Sequence, residues 1–442
     1  MQDMQILELP FGADFLKVAV PRTNLAWVLS PRYMPPVPDI AEAVAAALHN
    51  PIGLPPLPEL VKERDREMLL LVDDMTRSTP QHLILPPLLD ELNKAGVPDA
   101  QITALIATGT HRTMSEAEIT ARFGAKVRER IRFVNHNCHD LSSLVVVENP
   151  YSSTPVVVNR LYYESKFSIA VGNIVPHMYA GWAGGAKMVQ PGVCGPATTG
   201  ETHFMAAENV RNILGVVDNP VRREVENIAR LTGLTMIVNT ILNTAHEVVA
   251  VVAGDPVQAH RRGVEIAGGI YEMVIDEPVD LVIASAAPAD LDIWQSVKAL
   301  NAAAMAVRPG GRLILCSASP AGVAPDHPDF VALGGKTREE AKKAFHSGII
   351  TDKVGLSTYL ALRLNLDMVP TTLVSSGVGE AEARRMGFAW APTLEQAVSE
   401  ALAQLGAGAG PKVGAGPDGG AAVRIGVLTH AADIYIRQAG ER

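Results

Sequence analysis

The sequence is poor in cysteine, and this scarcity excludes several classes of protein. Its 442 residues include 3 cysteines, which are Cys138, Cys194 and Cys316. They lie far apart and form no CxxC pair, so neither a disulfide framework nor a structural zinc site is indicated. We therefore expect reduced thiols.

Long apolar segments and basic stripes are also missing. No run of about 18 uncharged apolar residues occurs, and the N-terminal MQDMQILELPFGADF has no basic region followed by an apolar core. The formal net charge of -9 comes without a basic stripe, which gives no electrostatic footprint for nucleic acid or an anionic membrane. We expect a cytoplasmic protein that binds a small molecule, with neither nucleic acid nor a membrane as partner.

Short apolar runs are abundant instead. Runs rich in Val, Ile and Leu alternate with amphipathic segments of helical period, which is the pattern of βα units in a mainly parallel sheet. Buried strands are predicted at 67–74, 101–111, 167–177, 234–242, 279–287 and 311–319. Helices are predicted at 86–96, 115–124, 201–212, 220–233, 258–273, 293–307 and 393–406.

The length predicts more than one domain, because a single core rarely serves so long a chain. A break near 275–280 divides the sequence into an N-terminal α/β domain over 1–275 and a C-terminal α/β domain over 276–442. The predicted fold class is α/β, with two domains of mainly parallel sheets flanked by helices and an active site in the cleft between them. The Gly/Ala/Pro-rich stretch 406–421 is expected to be a mobile loop.

Polar residues follow the predicted strands, and in open α/β sheets ligands gather beyond the carboxyl ends of strands. Asp74 and Arg77 follow the first run and could form an anion clamp. The alternative is a helix-capping aspartate with a solvated arginine. His111 follows a Gly-bearing turn after the second run, where either a proton-transfer role or a structural role is open.

The segment after the third run is the densest in candidate residues. His177 opens it, Gly184 and Gly185 allow a tight turn close to a ligand, and Lys187 and His203 follow. It is not a Walker A loop, because the lysine is neither preceded by Gly nor followed by Ser or Thr. The alternative is a flexible surface loop with a solvated lysine.

A fourth candidate group lies in the C-terminal half. If Asp292 or a neighbour caps the next helix, Gln295 and Lys298 share one face of its first turns and could hold a carboxylate or hydroxyl group. An ordinary helix-surface pair is the alternative.

Taken together, these segments resemble the nickel-dependent lactate racemase family. The resemblance covers most of the chain and rests on DDxTR, GTHR, then His, Lys and His spaced by ten and sixteen residues, and a later QxxK. It implies an isomerase that racemises or epimerises a small 2-hydroxy acid. It also implies a nickel-pincer nucleotide cofactor, nickel pyridinium-3,5-bisthiocarboxylic acid mononucleotide.

The resemblance assigns the cofactor to the glycine-rich segment. Lys187 would form a thioamide to the cofactor, His203 would ligate nickel, and Gly184 and Gly185 would lie against the cofactor. The other ligands, one carbon and two sulfurs, would come from the cofactor itself, and such soft donors with one imidazole suit square-planar nickel. Cofactor-biosynthesis proteins would be partners for loading.

The implied chemistry requires a pair of acid/base residues. A C2 proton flanked only by a carboxylate is too weakly acidic for a protein base, so hydride transfer to the cofactor's pyridinium ring avoids a carbanion. The resulting planar 2-oxo acid accepts hydride on either face. His111 and His177 match the family's two acid/base histidines, one for each enantiomer.

The remaining matches concern the substrate. Asp74 and Arg77 match an active-site carboxylate and arginine, and Gln295 and Lys298 match a substrate-binding pair. Trp294, which we also expect to contact the substrate, stands where the lactate enzymes are expected to have tyrosine. The substrate is therefore open among lactate, malate, longer 2-hydroxy acids and sugar acids.

Two alternative functions fit parts of this pattern. An NAD-dependent 2-hydroxy-acid oxidoreductase would share the α/β fold and the histidine base, but no G-x-G-x-x-G fingerprint follows any of the predicted strands. A non-catalytic carrier of the nickel cofactor would use Lys187 and His203, but it has no need of a substrate site.

Overall fold

The computed structural model describes residues 3–62, 67–208, 213–408 and 423–440. These residues form an α/β fold in which helices flank mainly parallel sheets, and this confirms the predicted fold class. The part of the stretch 406–421 that begins at residue 409 lies outside the described residues.

The strands include all six runs predicted from the sequence, which correspond to β4, β5, β9, β12, β15 and β16 of the following series. In chain order the strands are β1 (Met4–Phe11), β2 (Asp14–Pro21), β3 (Leu25–Leu29), β4 (Met68–Asp73), β5 (Ile102–Ala107), β6 (Arg132–Asn135), β7 (Leu144–Val147), β8 (Val156–Asn159), β9 (Ser168–Asn173), β10 (Pro176–His177), β11 (Gly181–Trp182), β12 (Met236–Leu242), β13 (Val248–Gly254), β14 (Glu272–Ile275), β15 (Val279–Ser285), β16 (Val307–Cys316), β17 (Thr371–Val374), β18 (Ala389–Trp390), β19 (Ile425–Leu428) and β20 (Tyr435–Gln438).

The helices likewise include counterparts of the predicted ones, as α3, α4, α7, α8, α9, α10 and α15. The helix predicted at 201–212 corresponds to α7, which begins at Pro196, and residues 209–212 of that prediction lie outside the described residues. The α-helices are α1 (Ile40–His49), α2 (Leu57–Lys62), α3 (Gln81–Lys94), α4 (Glu116–Phe123), α5 (Ala125–Arg130), α6 (Arg160–Glu164), α7 (Pro196–Ala207), α8 (Pro220–Leu231), α9 (Gln258–Tyr271), α10 (Ile293–Ala304), α11 (Pro328–Ala332), α12 (Arg338–His346), α13 (Lys353–Met368), α14 (Glu380–Met386) and α15 (Leu394–Gly408). Short 3₁₀ helices span Asp99–Gln101, Leu141–Ser143 and Gly185–Met188. Within the described ranges, no helix has the length and apolar character needed to cross a bilayer.

The chain divides into two units that differ from the predicted domains. The first unit contains Arg32–Ala206 and Gly215–Ile270, and the second contains Met1–Pro31, Ala207–Leu214 and Tyr271–Arg442. The division after Ile270 lies close to the predicted boundary at 275. The initial segment, predicted to belong to the N-terminal domain, instead joins the second unit, because β3 pairs in parallel with β19.

The first unit is built on a sheet that, among the described residues, has six strands in the order β13-β12-β9-β4-β5-β6. Neighbouring strands are parallel except for the antiparallel pair β12 and β13. Every residue of β4 is buried, as expected for a strand covered by helices on both faces. The three strands β9, β4 and β5 are therefore adjacent, and their carboxyl ends lie at the same edge of the sheet.

The second unit has its own parallel sheet, in which the described strands follow the order β18-β17-β16-β15-β19-β3. Its central strand β15 is buried throughout. α10 follows β15 and is capped by Asp292, whose carboxylate accepts a hydrogen bond from the Gln295 amide at 2.7 Å. This cap confirms the predicted start of the helix that carries Gln295 and Lys298.

A buried histidine ties β6 of the first unit to the segment that follows the glycine-rich loop. His136 is fully buried, with Nε2 3.0 Å from the Cys194 carbonyl oxygen and Nδ1 accepting from the Asn159 amide at 3.1 Å. Burial lowers the pKa of His136 to about 4. The imidazole is therefore neutral in the folded protein at neutral pH.

We expect this histidine to make the fold acid-sensitive. The pKa of a histidine in an unfolded chain is about 6.5. Between this pH and about pH 4, the unfolded chain therefore binds a proton at His136 that the folded protein does not bind. The contribution of His136 to the free energy of unfolding is complete above pH 6.5 and falls by up to about 3 kcal/mol as the pH drops towards 4. Urea unfolding at several pH values checks this, with His136→Gln flattening the slope and the exposed control His82→Gln leaving the slope unchanged. An equally steep slope in His136→Gln would contradict the assignment.

Candidate active site

The candidate site of the first unit gathers at the edge where β9, β4 and β5 end. Asp74 follows β4 directly, His111 lies beyond β5, and His177 lies beyond β9 in the two-residue strand β10. Because these three strands are adjacent and parallel, the segments that carry the three side chains leave the same edge of the sheet. This agrees with the expectation that the two histidines come from different strand ends.

His111 and Asp74 form a hydrogen-bonded pair at this edge. The His111 Nδ1 lies 2.7 Å from Asp74 Oδ2, and the aspartate is 3% exposed. Burial alone would raise the pKa of Asp74, but the hydrogen bond and charge of His111, with smaller contributions from Arg77 and Thr76, hold it well below its usual range. An ionised Asp74 accepts the Nδ1 proton of His111, which leaves the lone pair of the neutral ring on Nε2.

Asp73 and Asp74 are consecutive and have different partners. Asp73 is the last residue of β4 and accepts hydrogen bonds from Thr79, Gln81 and Arg122, the last at 2.6 Å. Successive side chains of a strand point to opposite faces, so one carboxylate enters the packing under α3 and α4 while the other faces His111. Burial raises the pKa of Asp73 despite the nearby Arg122 charge.

Arg77 lies one turn after Asp74 and is only partly exposed. Its charge helps to lower the pKa of Asp74. The alternative of a helix-capping aspartate is wrong, because α3 begins at Gln81 with Pro80 as its cap and no side-chain cap. The Asp74 carboxylate instead accepts from the backbone and hydroxyl of Thr76, at 3.0 and 2.6 Å.

The glycine-rich loop before Lys187 is buried and is held by one cation. Arg222 of α8 is 1% exposed and donates to the carbonyl oxygens of Ala180, Trp182 and Gly184. Burial lowers the pKa of Arg222 to about 10. The interpretation as a surface loop is therefore wrong: Gly181 to Ala186 are all buried, and Lys187 is partly buried.

Gly184 and Gly185 are required by packing against the protein itself. Both have positive φ values, of +74° and +60°. A Cβ on Gly184 would lie 2.8 Å from the Asn173 carbonyl oxygen, and one on Gly185 would lie 2.8 Å from the His260 ring. The Gly185 amide also donates to Asn239 Oδ1 at 2.7 Å. A role of these glycines in cofactor binding stays a prediction.

Three rings link the predicted acid/base histidine to the predicted nickel ligand. Tyr179 lies between them, with its ring centroid 6.0 Å from that of His177 and 4.6 Å from that of His203. The backbone N–H of Tyr179 donates to His177 Nδ1 at 3.2 Å, so the proton of neutral His177 lies on Nε2. The structure therefore brings His177 and His203 into one group.

The donor set around His203 fits a metal-bearing cofactor. His203 Nδ1 lies 3.0 Å from the Thr199 carbonyl oxygen one helical turn earlier, which places the proton on Nδ1 and the lone pair on Nε2, as a ligating histidine requires. The Thr199 hydroxyl and the Gln190 Oε1 atom are buried without a hydrogen-bond partner. In the described ranges no group of three or more His, Cys, Asp and Glu side chains could hold a metal ion.

The second unit places its predicted residues together on α10. The Lys298 ammonium donates to Gln295 Oε1 at 2.6 Å, so the pair predicted from the sequence does meet. Asp433 lies within the electrostatic reach of Lys298; burial raises the pKa of Asp433 to about 7, while the Lys298 charge lowers it. Trp294 precedes this pair and stacks on His327.

Several residues of the site were missed by the sequence reasoning. Arg222 carried a signal, because it falls on the apolar face of α8 with Val221, Val225 and Ile228, where a cation must find buried acceptors. Tyr179 lies between His177 and Lys187 without a distinguishing sequence pattern. His260, Asn239, Asp433 and His327 come from distant parts of the chain, and only the fold brings them to their partners.

Sequence comparison identifies relatives of the chain. A family model for the lactate racemase N-terminal domain matches residues 11–215. The lactate racemase of Thermoanaerobacterium thermosaccharolyticum is 31% identical over 322 residues, which cover 71% of this chain and 74% of that protein. The lactate racemase of Lactiplantibacillus plantarum is 30% identical over 278 residues, covering 62% of this chain and 65% of that protein.

Structural comparison extends the likeness over nearly the whole chain. The lactate racemase apoprotein from Thermoanaerobacterium thermosaccharolyticum superposes with a TM-score of 0.85 at 25% identity, covering 98% of this chain and 100% of that one. The fold and the matched sequence agree, and we conclude that the chain belongs to the lactate racemase family of isomerases.

Proposed function

We propose that this protein interconverts the stereoisomers of a small 2-hydroxy acid, lactate-like or malate-like, and that His111 and His177 are its acid/base residues. The observation that carries the proposal is the 2.7 Å contact of His111 with buried Asp74 in a member of an isomerase family. A histidine held by an ionised aspartate is the usual arrangement of a general base.

The two histidines differ in which ring nitrogen carries the proton. The Nε2 lone pair of His111 would accept the substrate hydroxyl proton, and Asp74 would stabilise the imidazolium that forms. His177 would begin with its proton on Nε2, because its Nδ1 accepts from the Tyr179 backbone. The two rings thus present different groups at Nε2, a lone pair on His111 and an N–H on His177. Inversion at C2 would require His111 to take the hydroxyl proton and His177, in its imidazolium form, to return one, because a neutral imidazole is too weak an acid.

We further propose that Lys187 and His203 hold the nickel-pincer nucleotide, with Lys187 as its covalent anchor. When bound, the cofactor would supply a hydride acceptor and donor, so that C2 changes configuration without a carbanion. The His203 Nε2 lone pair is the expected nickel ligand, and the fixed loop from Gly184 to Gly185 would orient Lys187. The unpartnered Thr199 hydroxyl supports the presence of a further polar ligand beside this helix.

Cationic residues would bind the substrate carboxylate. Arg77 is the proposed carboxylate-binding residue of the first unit, and Lys298, whose ammonium is held by Gln295, is that of the second unit. Trp294 would contact the group attached to C3. Membership of an isomerase family favours this function over the NAD-dependent oxidoreductase and the cofactor carrier. The cytoplasmic location and the dependence on loading proteins stay predictions.

The neighbouring aspartates give a matched test of the His111 assignment. We expect Asp74→Asn to lower the racemisation rate roughly 10²–10⁴-fold, because His111 loses the charge that supports its imidazolium. Asp73→Asn should instead cost about 3–5 kcal/mol of stability, because the partly buried Arg122 loses its buried carboxylate partner, while folded protein stays active. Rate and urea-unfolding measurements on both variants check this. Equal losses of rate would contradict the division of roles.

Cofactor attachment gives a second test that does not depend on turnover. Protein loaded with the cofactor should carry about one nickel ion and a covalent mass adduct on Lys187, because a single imidazole and a cofactor-borne donor set hold one metal. Lys187→Arg should lose the adduct, and His203→Ala should lose nickel while keeping its fold. Peptide mass mapping and metal analysis provide the measurement. An adduct on another residue would overturn the assignment.

The proposed function itself is tested with a chiral assay of the loaded protein on a panel of 2-hydroxy acids. Wild-type protein should racemise at least one of them, and His111→Ala and His177→Ala should each lower turnover by about 10²–10⁴-fold. Each variant should still oxidise one enantiomer, and the two variants should differ in which one. The exposed-site variant His346→Ala serves as the control. Near wild-type racemisation in both active-site variants would refute the two-histidine mechanism.

A further inference from the structure

Trp294 has an unusual neighbour in the second unit. Its indole lies flat against the imidazole of His327, with ring centroids 3.9 Å apart and planes inclined by 7°. The edge of Phe330 closes another side, at 5.3 Å and 73°. His327 is 7% exposed, so the indole rests on a buried polar ring.

His327 is itself held in one orientation. Its Nδ1 lies 2.7 Å from Asp352 Oδ2. The other oxygen of Asp352 accepts from the Val354 amide at 2.9 Å, as the cap of α13. The carboxylate is therefore anchored to a helix end, the imidazole to the carboxylate, and the indole to the imidazole.

The array formed by Asp352, His327 and Trp294 ends beside the residues proposed to bind substrate. Trp294 adjoins Gln295 in the first turn of α10, and Lys298 lies four residues after Trp294. Residues three and four apart share one face of a helix, so Trp294, Gln295 and Lys298 occupy a common patch. The indole is thus fixed relative to the Lys298 ammonium.

Packing alone does not account for the array. Desolvating a polar imidazole and a half-buried carboxylate is costly, and apolar residues of similar volume are often as stabilising or more so. Here the polar pair restricts one aromatic side chain, since stacking sets the plane of the indole and the hydrogen bond sets the plane of the imidazole. Supporting groups of this kind are what a precise binding surface requires.

We propose that His327 and Asp352 are positioning residues that hold Trp294 as a rigid wall against the substrate's C3 group, and so set the size of 2-hydroxy acid that is accepted. This inference rests on the proposed function. A rigid wall rejects a longer substituent, whereas a released indole rotates away and admits it. One methylene group in an apolar pocket is worth roughly tenfold or more in discrimination.

The test measures kcat and KM of loaded protein for lactate, 2-hydroxybutyrate and malate in wild type, His327→Ala and Asp352→Asn. Releasing the indole should change the kcat/KM ratio of the larger acids to lactate by roughly tenfold, mainly through KM. Asp352→Asn keeps the helix cap and the shape, so the test survives if His327→Ala does not fold. Asp326→Asn, which alters an exposed carboxylate next to His327, is the matched control and should leave the ratio unchanged.

Fluorescence supplies a readout that does not require activity. The emission of Trp294, taken as wild type minus Trp294→Phe, should change in His327→Ala because the stacked imidazole is removed. Unaltered emission would overturn the stacking role. Equal loss of rate for all three acids, or unchanged ratios in an active enzyme, would reduce His327 to a structural residue. If wild type racemises none of the acids, the proposed function fails and the inference falls with it.

Discussion

The buried guanidinium of Arg222 is the interaction on which the glycine-rich loop depends. Carbonyl oxygens of three loop residues turn towards this one cation, so a segment with little side-chain volume can be buried without leaving its backbone unsatisfied. Neutral His260 adds a contact to the Ala183 carbonyl at 3.0 Å. The position of Lys187 follows from these contacts, because its backbone continues directly from the fixed turn.

Two consecutive aspartates at the sheet edge have different roles, one structural and one proposed to be chemical. Asp73 is committed to Arg122 and the packing beneath α3, whereas Asp74 meets a partly exposed imidazole. A strand end is suited to this division because the regular alternation of side chains stops there. The rigid scaffold then positions a reactive group on the adjoining loop, which is free of ladder hydrogen bonds.

The sequence predicted those strands and helix ends that depend on neighbouring residues, but not the contacts between distant segments. The six apolar runs could be predicted because strands covered on both faces contain few polar residues. The Asp292 cap could be predicted because a helix cap depends on residues only a few positions apart. Asp74 and His111 could be selected from their strand ends, but their contact could not, since it requires the order β9-β4-β5. The pairing of β3 could not be predicted for the same reason: its partner, β19, is remote in sequence.

That remote pairing has a consequence for biosynthesis. The first unit is one nearly continuous stretch of chain, so a nascent polypeptide can complete its sheet while translation continues. The second unit cannot, because β3 must wait for the ribosome to deliver β19 before its hydrogen-bonding edge is covered. During that interval the exposed early strands depend on their own hairpin, β1 with β2, or on a chaperone to avoid pairing with other chains.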